Sequence, residues 1–168
     1  MHYRLCRATL FSSLLLCLLL PAPVVAEPIT GQVTWIHDGD TIKVAGIGTV
    51  RLLGIDAPEY EASPRDRYYQ RWGISPATLR RIHKAGKTYL IHSLKEQTVT
   101  LITEHSHHDR HNRLLAYVYL PDGRLLNRQL LKKGYAVVYR RFDFGLKDNF
   151  LEAEAWARQK ESGLWQQH

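Results

Sequence analysis

The sequence predicts an α+β fold, mainly β, in which a small closed barrel of five strands carries about three helices. Three observations support this prediction. Short strands are joined by tight glycine turns near the start, two further apolar strands follow in the second half, and apolar residues recur at helical spacing between and after them. We expect closure into a barrel because it removes the exposed edges that five short strands would otherwise leave.

The five predicted strands are short and mostly end at turn residues. The first three form a meander, since only a few residues containing glycine separate one strand from the next. In chain order, the strands are predicted at residues 29–37, 41–44, 49–55, 98–103 and 114–120.

Three helices are predicted from apolar spacing and from their end signals. Ser75 is a good N-cap with Pro76 in the first turn, and Gly134 is a good stop signal. Trp165, beyond the last helix, is expected to pack back on the core. The predicted helices cover residues 75–94, 125–133 and 150–163.

The first 26 residues have the layout of a secretory signal peptide. A basic start at Arg4 and Arg7 precedes an apolar stretch at 8–20, and small residues lead to predicted cleavage after Ala26. An uncleaved anchor is disfavoured because the stretch is shorter than the roughly 20 residues that a spanning helix needs. We therefore expect one domain at 27–168 in a secreted or periplasmic protein with no stable membrane association.

Composition limits the possible partners and the redox chemistry. Both cysteines, Cys6 and Cys17, precede the predicted cleavage point, so the mature chain would hold no disulfide. The net charge of +7 falls to +5 without Arg4 and Arg7. Such a surplus favours nucleic acid or an anionic surface as partner, although it is also common in soluble proteins. We expect a monomer.

Two groups of carboxylates lie at predicted strand ends. Asp40 starts the second strand and Asp56 ends the third, so an antiparallel meander can place them side by side around one divalent cation. Pro58 restrains Ala57, whose carbonyl is a suitable additional calcium ligand. The alternative is an ordinary hairpin turn, and Asp38 fits that alternative best.

Three further residues suggest phosphodiester chemistry. Glu59 follows a rigid turn and is a candidate general base, the alternative being a solvated loop glutamate. Arg51 lies among apolar residues and therefore needs an anionic partner, either a phosphate or a nearby carboxylate. Arg113 precedes an apolar strand, where it either stabilises phosphoryl charge or keeps the strand edge soluble.

These residues belong to an ordered set of segments that resembles the staphylococcal nuclease (thermonuclease) family. Each segment is weak alone, but together they span nearly the whole of 27–168 in the family's order. They are Asp38-Gly39-Asp40-Thr41, residues 50–59, residues 109–117, Asp122-Gly123, residues 127–136 and Gly163-Leu164-Trp165.

The resemblance implies an OB-type barrel and calcium-dependent hydrolysis of DNA and RNA that leaves 3′-phosphate ends. The main alternative is a non-catalytic OB-type protein that binds single-stranded nucleic acid. The site residues that the resemblance implies are the calcium ligands Asp40, Asp56 and Ala57 (through its carbonyl), the phosphate-binding Arg51 and Arg113, and the catalytic Glu59.

The chain departs from the family pattern in two places. Before Arg113, Asn112 stands where the family has glycine, and we expect it to adopt the same left-handed turn. Residues 65–84 resemble an insertion rich in arginine and tyrosine, which either contacts nucleic acid or forms a solvated basic helix. The candidates for nucleic-acid binding are Arg110, His111, Tyr139 and Arg140.

Histidines at 105, 107, 108 and 111 also form a cluster with Asp109. Zinc and copper accept such ligands, but the spacing is not a standard one and no cysteine is present. The interpretation as an exposed loop, whose histidines gain positive charge as the pH falls, is therefore preferred to a transition-metal site.

Overall fold

The computed structural model describes residues 27–104 and 108–166, so the predicted signal peptide lies outside the described residues. Five strands form a closed barrel in the order β1-β2-β3-β6-β5, which confirms the prediction. Only β3 and β6 pair in parallel within this barrel. The strands are β1 (Ile29–Ile36), β2 (Thr41–Val44), β3 (Gly48–Leu52), β4 (Ile55–Asp56), β5 (Thr98–Ile102), β6 (Leu114–Tyr119) and β7 (Val137–Val138).

The third predicted strand is divided into β3 and β4. Gly54 has a φ of 79° and breaks the strand by a left-handed turn. A side chain at this position would also collide with the ring of Phe144. The turn places Asp56 on β4, which pairs with β7 in a separate two-stranded sheet.

The described ranges contain four α-helices, none of them long and apolar enough to cross a membrane. One helix, α1, lies in the segment that the sequence indicated as an insertion. The last helix ends before the predicted position, and a short 3₁₀ turn at Gly163–Trp165 follows it. The helices are α1 (Asp66–Gln70), α2 (Pro76–Leu94), α3 (Leu126–Lys132) and α4 (Lys147–Gln159).

The predicted end signals operate as expected. Ser75 accepts a hydrogen bond at 3.2 Å from the backbone N–H of Thr78, so it caps α2. Gly134 has a φ of 65° and follows Lys133, the C-cap residue of α3. Trp165 packs against Trp72 with ring centroids 5.5 Å apart, which confirms that it docks on the rest of the chain.

Helix α2 braces two turns at one end of the barrel. Lys87 donates a hydrogen bond at 2.8 Å to the carbonyl of His37, in the turn between β1 and β2. The buried His83 has its Nδ1 atom 2.9 Å from the carbonyl oxygen of Pro58, in the turn after β4. These turns carry Asp40 and Glu59, so α2 fixes the segments that hold the candidate site.

Helix α3 is joined to the barrel by the fully buried Asn127. Its amide donates a hydrogen bond at 2.8 Å to the carbonyl of Leu53 and accepts one at 2.9 Å from the N–H of Val118. One side chain thereby satisfies buried backbone groups of the β3–β4 turn and of β6.

Helix α4 is joined to β7 by the buried Glu154. This carboxylate accepts hydrogen bonds from the N–H of Val138 at 2.8 Å, from Arg140 at 2.9 Å and from Arg158 at 2.6 Å. Although burial opposes its ionisation, the Arg140 guanidinium and the Val138 N–H hold the pKa of Glu154 below its ordinary value.

A lowered pKa in the folded state means that the Glu154 carboxylate stabilises the fold above its unfolded pKa, and that this contribution is lost as the pH falls. We predict that Glu154→Gln lowers the free energy of unfolding by about 2 kcal/mol at pH 7, because two guanidinium groups lose their anion. The loss should shrink steadily as the pH is lowered below about 4.

Urea denaturation at pH 7 and at pH 3.5 measures this difference. The matched control is Glu152→Gln, which removes an exposed carboxylate from the same helix. An equal effect of both substitutions at pH 7 would contradict the assigned role of Glu154.

Candidate active site

The turn between β1 and β2 delivers Asp40 into a buried position, where the residue is 3% exposed. Its Oδ2 atom accepts a hydrogen bond at 2.8 Å from the backbone N–H of Ala57. Its Oδ1 atom accepts one at 3.0 Å from the hydroxyl of Thr41 and contacts the guanidinium of Arg51. The two carboxylate-bearing segments therefore meet, as the strand ends indicated.

Arg51 lies between the two aspartates. One nitrogen contacts Asp40, and the other donates to the Oδ1 atom of Asp56 at 3.0 Å. The arginine side chain is 12% exposed. Burial opposes the charge of Arg51, but the neighbouring carboxylates raise its pKa. Burial also opposes the charge of Asp40, yet Arg51 and the Ala57 N–H hold the pKa of Asp40 below its ordinary value. The sequence left open whether Arg51 pairs with a nearby carboxylate, and the structure contains its ion pair with Asp56.

Asp38 shapes the turn, as predicted. Its Oδ1 atom accepts a hydrogen bond at 3.0 Å from the backbone N–H of Asp40. Burial and the charge of Asp40 raise the pKa of Asp38 to about 6.

Two residues of the candidate site were missed by sequence reasoning, Arg65 and Tyr69. Arg65 contacts the Oδ1 atom of Asp56 and donates to Glu59 at 2.7 Å. Tyr69, on α1, is buried and donates from its hydroxyl to the Oδ2 atom of Asp56 at 3.0 Å. The basic character of the segment was visible in the sequence, but no local signal indicated that it folds back onto these carboxylates.

Glu59 is partly exposed and lies just beyond the turn that His83 holds. Burial and the negative charge of Asp40 raise the pKa of Glu59 above its ordinary value. A carboxylate whose pKa lies closer to neutral pH is a better proton acceptor. It binds a proton more strongly, and a large fraction of it is still ionised and free to accept one. Arg65 restrains its orientation.

Arg113 reaches the site from the loop before β6. The loop turns at Asn112, whose φ of 58° confirms the expected left-handed conformation. Asp109 binds the Arg113 guanidinium at 2.7 Å, and the arginine also lies 3.4 Å from the hydroxyl of Thr41. Since Thr41 adjoins Asp40, the two predicted arginines flank the same pair of strand ends.

An open groove of about 820 Å³ begins at these arginines and is called the groove below. It includes all four candidates for nucleic-acid binding. Arg110 donates to His111 at 3.1 Å, and Tyr139 packs against Phe142 with ring centroids 5.2 Å apart. Arg140 also lines the groove, but Glu154 holds its guanidinium. Nothing in the contacts assigns a ligand to these four residues.

The groove is bordered by four parts of the chain, namely the barrel end, the α1 segment, the loop before β6 and the loop after β7. Its basic and aromatic lining residues are Arg51, Arg65, Arg67, Tyr68, Arg71, Arg110, His111, Arg113, Tyr139, Arg140, Arg141 and Phe142.

Within 27–104 and 108–166, no group of three or more histidine, cysteine, aspartate or glutamate side chains is arranged to hold a metal ion. His105 and His107 lie outside the described residues, so the histidine cluster cannot be assembled from the described part of the chain. A cation at Asp40 and Asp56 would therefore complete its coordination with carbonyl, water or phosphate oxygens, which hard divalent ions accept.

The closed five-stranded barrel with its helices defines an OB-type α+β domain, and the buried carboxylates and their arginines lie at one end of it. The family described as "Staphylococcal nuclease homologue" matches residues 49–167, and the chain belongs to this family. The two strands before residue 49 complete the barrel.

Relatives support the assignment. An uncharacterized protein of Methanocaldococcus jannaschii is 35% identical over 83% of this chain and 72% of its own length. A protein of Escherichia coli named as an uncharacterized endonuclease is 34% identical over 85% and 81% of the two chains. Endonuclease YhcR of Bacillus subtilis is 29% identical over 88% of this chain but only 12% of its own. Family and relatives together support a nuclease, a hydrolase of the endonuclease type.

The contacts at Arg51 predict a large difference between two neighbouring arginines. Arg51→Gln leaves two buried aspartates without their shared cation, so we expect a loss of about 3 kcal/mol in the free energy of unfolding. Arg65 is 44% exposed, and Arg65→Gln should cost less than about 1 kcal/mol. Urea denaturation in chelator-treated buffer measures both values, and equal losses would refute the central role of Arg51.

Proposed function

We propose that the protein is an exported, calcium-dependent nuclease that hydrolyses phosphodiester bonds of DNA and RNA and leaves 3′-phosphate ends. The observation that carries this proposal is the linked set of Asp40, Arg51, Asp56 and Glu59, with Arg113 beside it, at one end of a basic groove. Export rests on the sequence of residues 1–26, and the end chemistry rests on the family resemblance.

In this proposal, Arg51 and Arg113 donate to the nonbridging oxygens of the scissile phosphate. Both carry guanidinium forks that match phosphate geometry, and their charge stabilises the transition state more than the ground state. Arg113 keeps Asp109 as its orienting partner, whereas Arg51 is fixed by the aspartates. Arg51 thus approaches the phosphate from β3 and Arg113 from the loop before β6.

Glu59 takes the proton of the attacking water. Its raised pKa suits this role, since a carboxylate closer to neutrality accepts a proton more effectively. The contact from Arg65 and the support of His83 at the preceding turn hold the carboxylate in place. An orienting role for Glu59 towards water would use the same contacts.

Asp40 and Asp56, with the carbonyl of Ala57, would hold calcium. The donor chemistry fits, because two buried carboxylates already converge on one positive group and oxygen ligands suit this ion. Bound calcium would neutralise charge on the phosphate and orient it.

The alternative from another functional class is a non-catalytic barrel that binds single-stranded nucleic acid. Binding alone requires basic and aromatic surface, which the groove supplies. It does not require a half-buried glutamate of raised pKa beside two buried aspartates, and this arrangement favours hydrolysis.

The residues 27–168 are predicted to cleave single-stranded DNA, duplex DNA and RNA with calcium and to stop when a chelator is added. Glu59→Gln should lower the rate about 10²- to 10⁴-fold because the proton acceptor is lost. Arg113→Ala should lower it about 10²- to 10³-fold because one transition-state contact is lost. Release of labelled fragments on denaturing gels gives the rates.

Two exposed residues provide matched controls. Glu61→Gln removes a carboxylate two positions from Glu59, and Arg124→Ala removes an arginine from the turn after β6. Both should retain the parent rate. Absence of cleavage with every divalent ion tried would refute the proposed function, and binding without cleavage would favour the alternative.

Arg65 is predicted to weaken calcium binding, because its guanidinium contacts Asp56 and adds positive charge beside the proposed ligands. Arg65→Ala should tighten calcium binding several-fold in isothermal titration calorimetry without nucleic acid. Arg67→Ala is the control, since it removes an equal charge from an exposed position two residues away. Unchanged or weaker binding by Arg65→Ala would count against calcium at Asp56.

A further inference from the structure

Helix α1 gives the groove a wall that the barrel alone does not supply. Its segment contributes Arg67, Tyr68 and Arg71 to the lining, and these three residues are called the α1 wall below. The groove continues from Arg51 and Arg113 to this wall, so a strand bound at the proposed catalytic centre has a path along it.

The arginines that line the groove carry more positive charge than the carboxylates paired with them neutralise. It contains eight arginines, of which four form salt bridges with acidic residues. Across the described ranges, the other four have no such carboxylate partner, and two of these belong to the α1 wall. These four are Arg67, Arg71, Arg110 and Arg141. A surplus of positive charge in one groove complements a chain of phosphates.

The α1 wall also presents flat faces. The Arg71 guanidinium lies 3.8 Å above the centroid of the Tyr68 ring, forming a stacked pair. Trp72 supports Tyr68 from its edge, with ring centroids 4.9 Å apart. Across the groove, Phe142 is 41% exposed and packs against Tyr139. Unpaired bases stack on aromatic rings and on guanidinium planes.

The wall is anchored at two points and so is preorganised. Asp66 is buried and accepts a hydrogen bond at 2.7 Å from Arg80 on α2. Tyr69 is buried and donates to Asp56 in the candidate site. The same short helix therefore contacts a proposed metal ligand through one side chain and the groove through its neighbours.

We propose that the α1 wall is a binding subsite for nucleotides flanking the scissile phosphate, in which Arg67 contacts a phosphate and an unpaired base stacks on the Arg71–Tyr68 pair. The occupant is a single strand of nucleic acid, because a base within a duplex does not offer its face for stacking. This inference rests on the proposed function for the location of the scissile phosphate.

Fluorescence anisotropy with a labelled twelve-residue thymidine oligonucleotide tests the subsite without cleavage. All variants carry Glu59→Gln, and the buffer contains a chelator. Adding Arg67→Ala with Arg71→Ala should raise Kd about tenfold, and the slope of log Kd against log salt should fall by roughly 0.7, as expected for the one lost phosphate contact of Arg67. Tyr68→Ala should raise Kd about tenfold, with little change in slope.

The control for the arginine pair is Lys95→Ala with Lys160→Ala, which removes the same charge from exposed positions outside the groove lining. An equal rise in Kd for this control would overturn the subsite, and so would an unchanged Kd for the α1 variants. A labelled blunt duplex gives the second comparison. Tyr68→Ala should weaken duplex binding less than single-strand binding, and equal weakening would overturn the stacking role.

Failure of the subsite is distinguishable from failure of the proposed function. With Glu59 restored and calcium added, the control with Lys95→Ala and Lys160→Ala should cleave the thymidine oligonucleotide at the parent rate, which tests the proposed function separately from the subsite. Should no variant cleave anything, the anisotropy results still decide the subsite. Thermal unfolding checks that Tyr68→Ala folds, and if it does not, the exposed arginine pair alone decides whether the subsite exists.

Discussion

The rest of the site depends on the two ion pairs that Arg51 makes with Asp40 and Asp56. These two buried aspartates from different turns converge on Arg51, and neither could remain ionised there without a cation or hydrogen-bond donors. The Ala57 N–H, the Tyr69 hydroxyl and the Arg65 guanidinium add to the same balance. The barrel end, the short helix α1 and the turn that carries Glu59 are thus joined through one compensated cluster in addition to apolar packing.

The sequence predicted the barrel well because its strands are separated by strong local signals. Strand β2 lies at the predicted residues, and helix α2 begins at the predicted cap. The division between β3 and β4 was missed, because the effect of Gly54 depends on a ring that lies ninety positions later in the chain. The bounds of helix α1 were not predicted, since five residues give too little periodicity to identify, although a solvated basic helix was one of the two interpretations of residues 65–84.

The candidate site was predictable to the extent that its residues recur in a known family order. Arg51 contacts both Asp40 and Asp56, and Arg65 links Asp56 to Glu59. Their neighbours were not predictable, because Arg65 and Tyr69 reach Asp56 only through the tertiary path of the segment that the sequence indicated as an insertion. The same holds for Arg140, whose basic side chain suggested a phosphate contact but is held by Glu154.

The parallel pairing of β3 with β6 has a consequence for the order of folding. Arg51 lies opposite Leu115, sixty-four positions later in the chain, and this register brings Arg113 near the first arginine. Such a distant pairing forms late, because the entropy cost of closing a long loop comes before the stabilising contacts between its ends. A chain interrupted during synthesis before β6 holds the aspartates but only one arginine of the pair. Completion of the candidate site is therefore coupled to closure of the barrel itself.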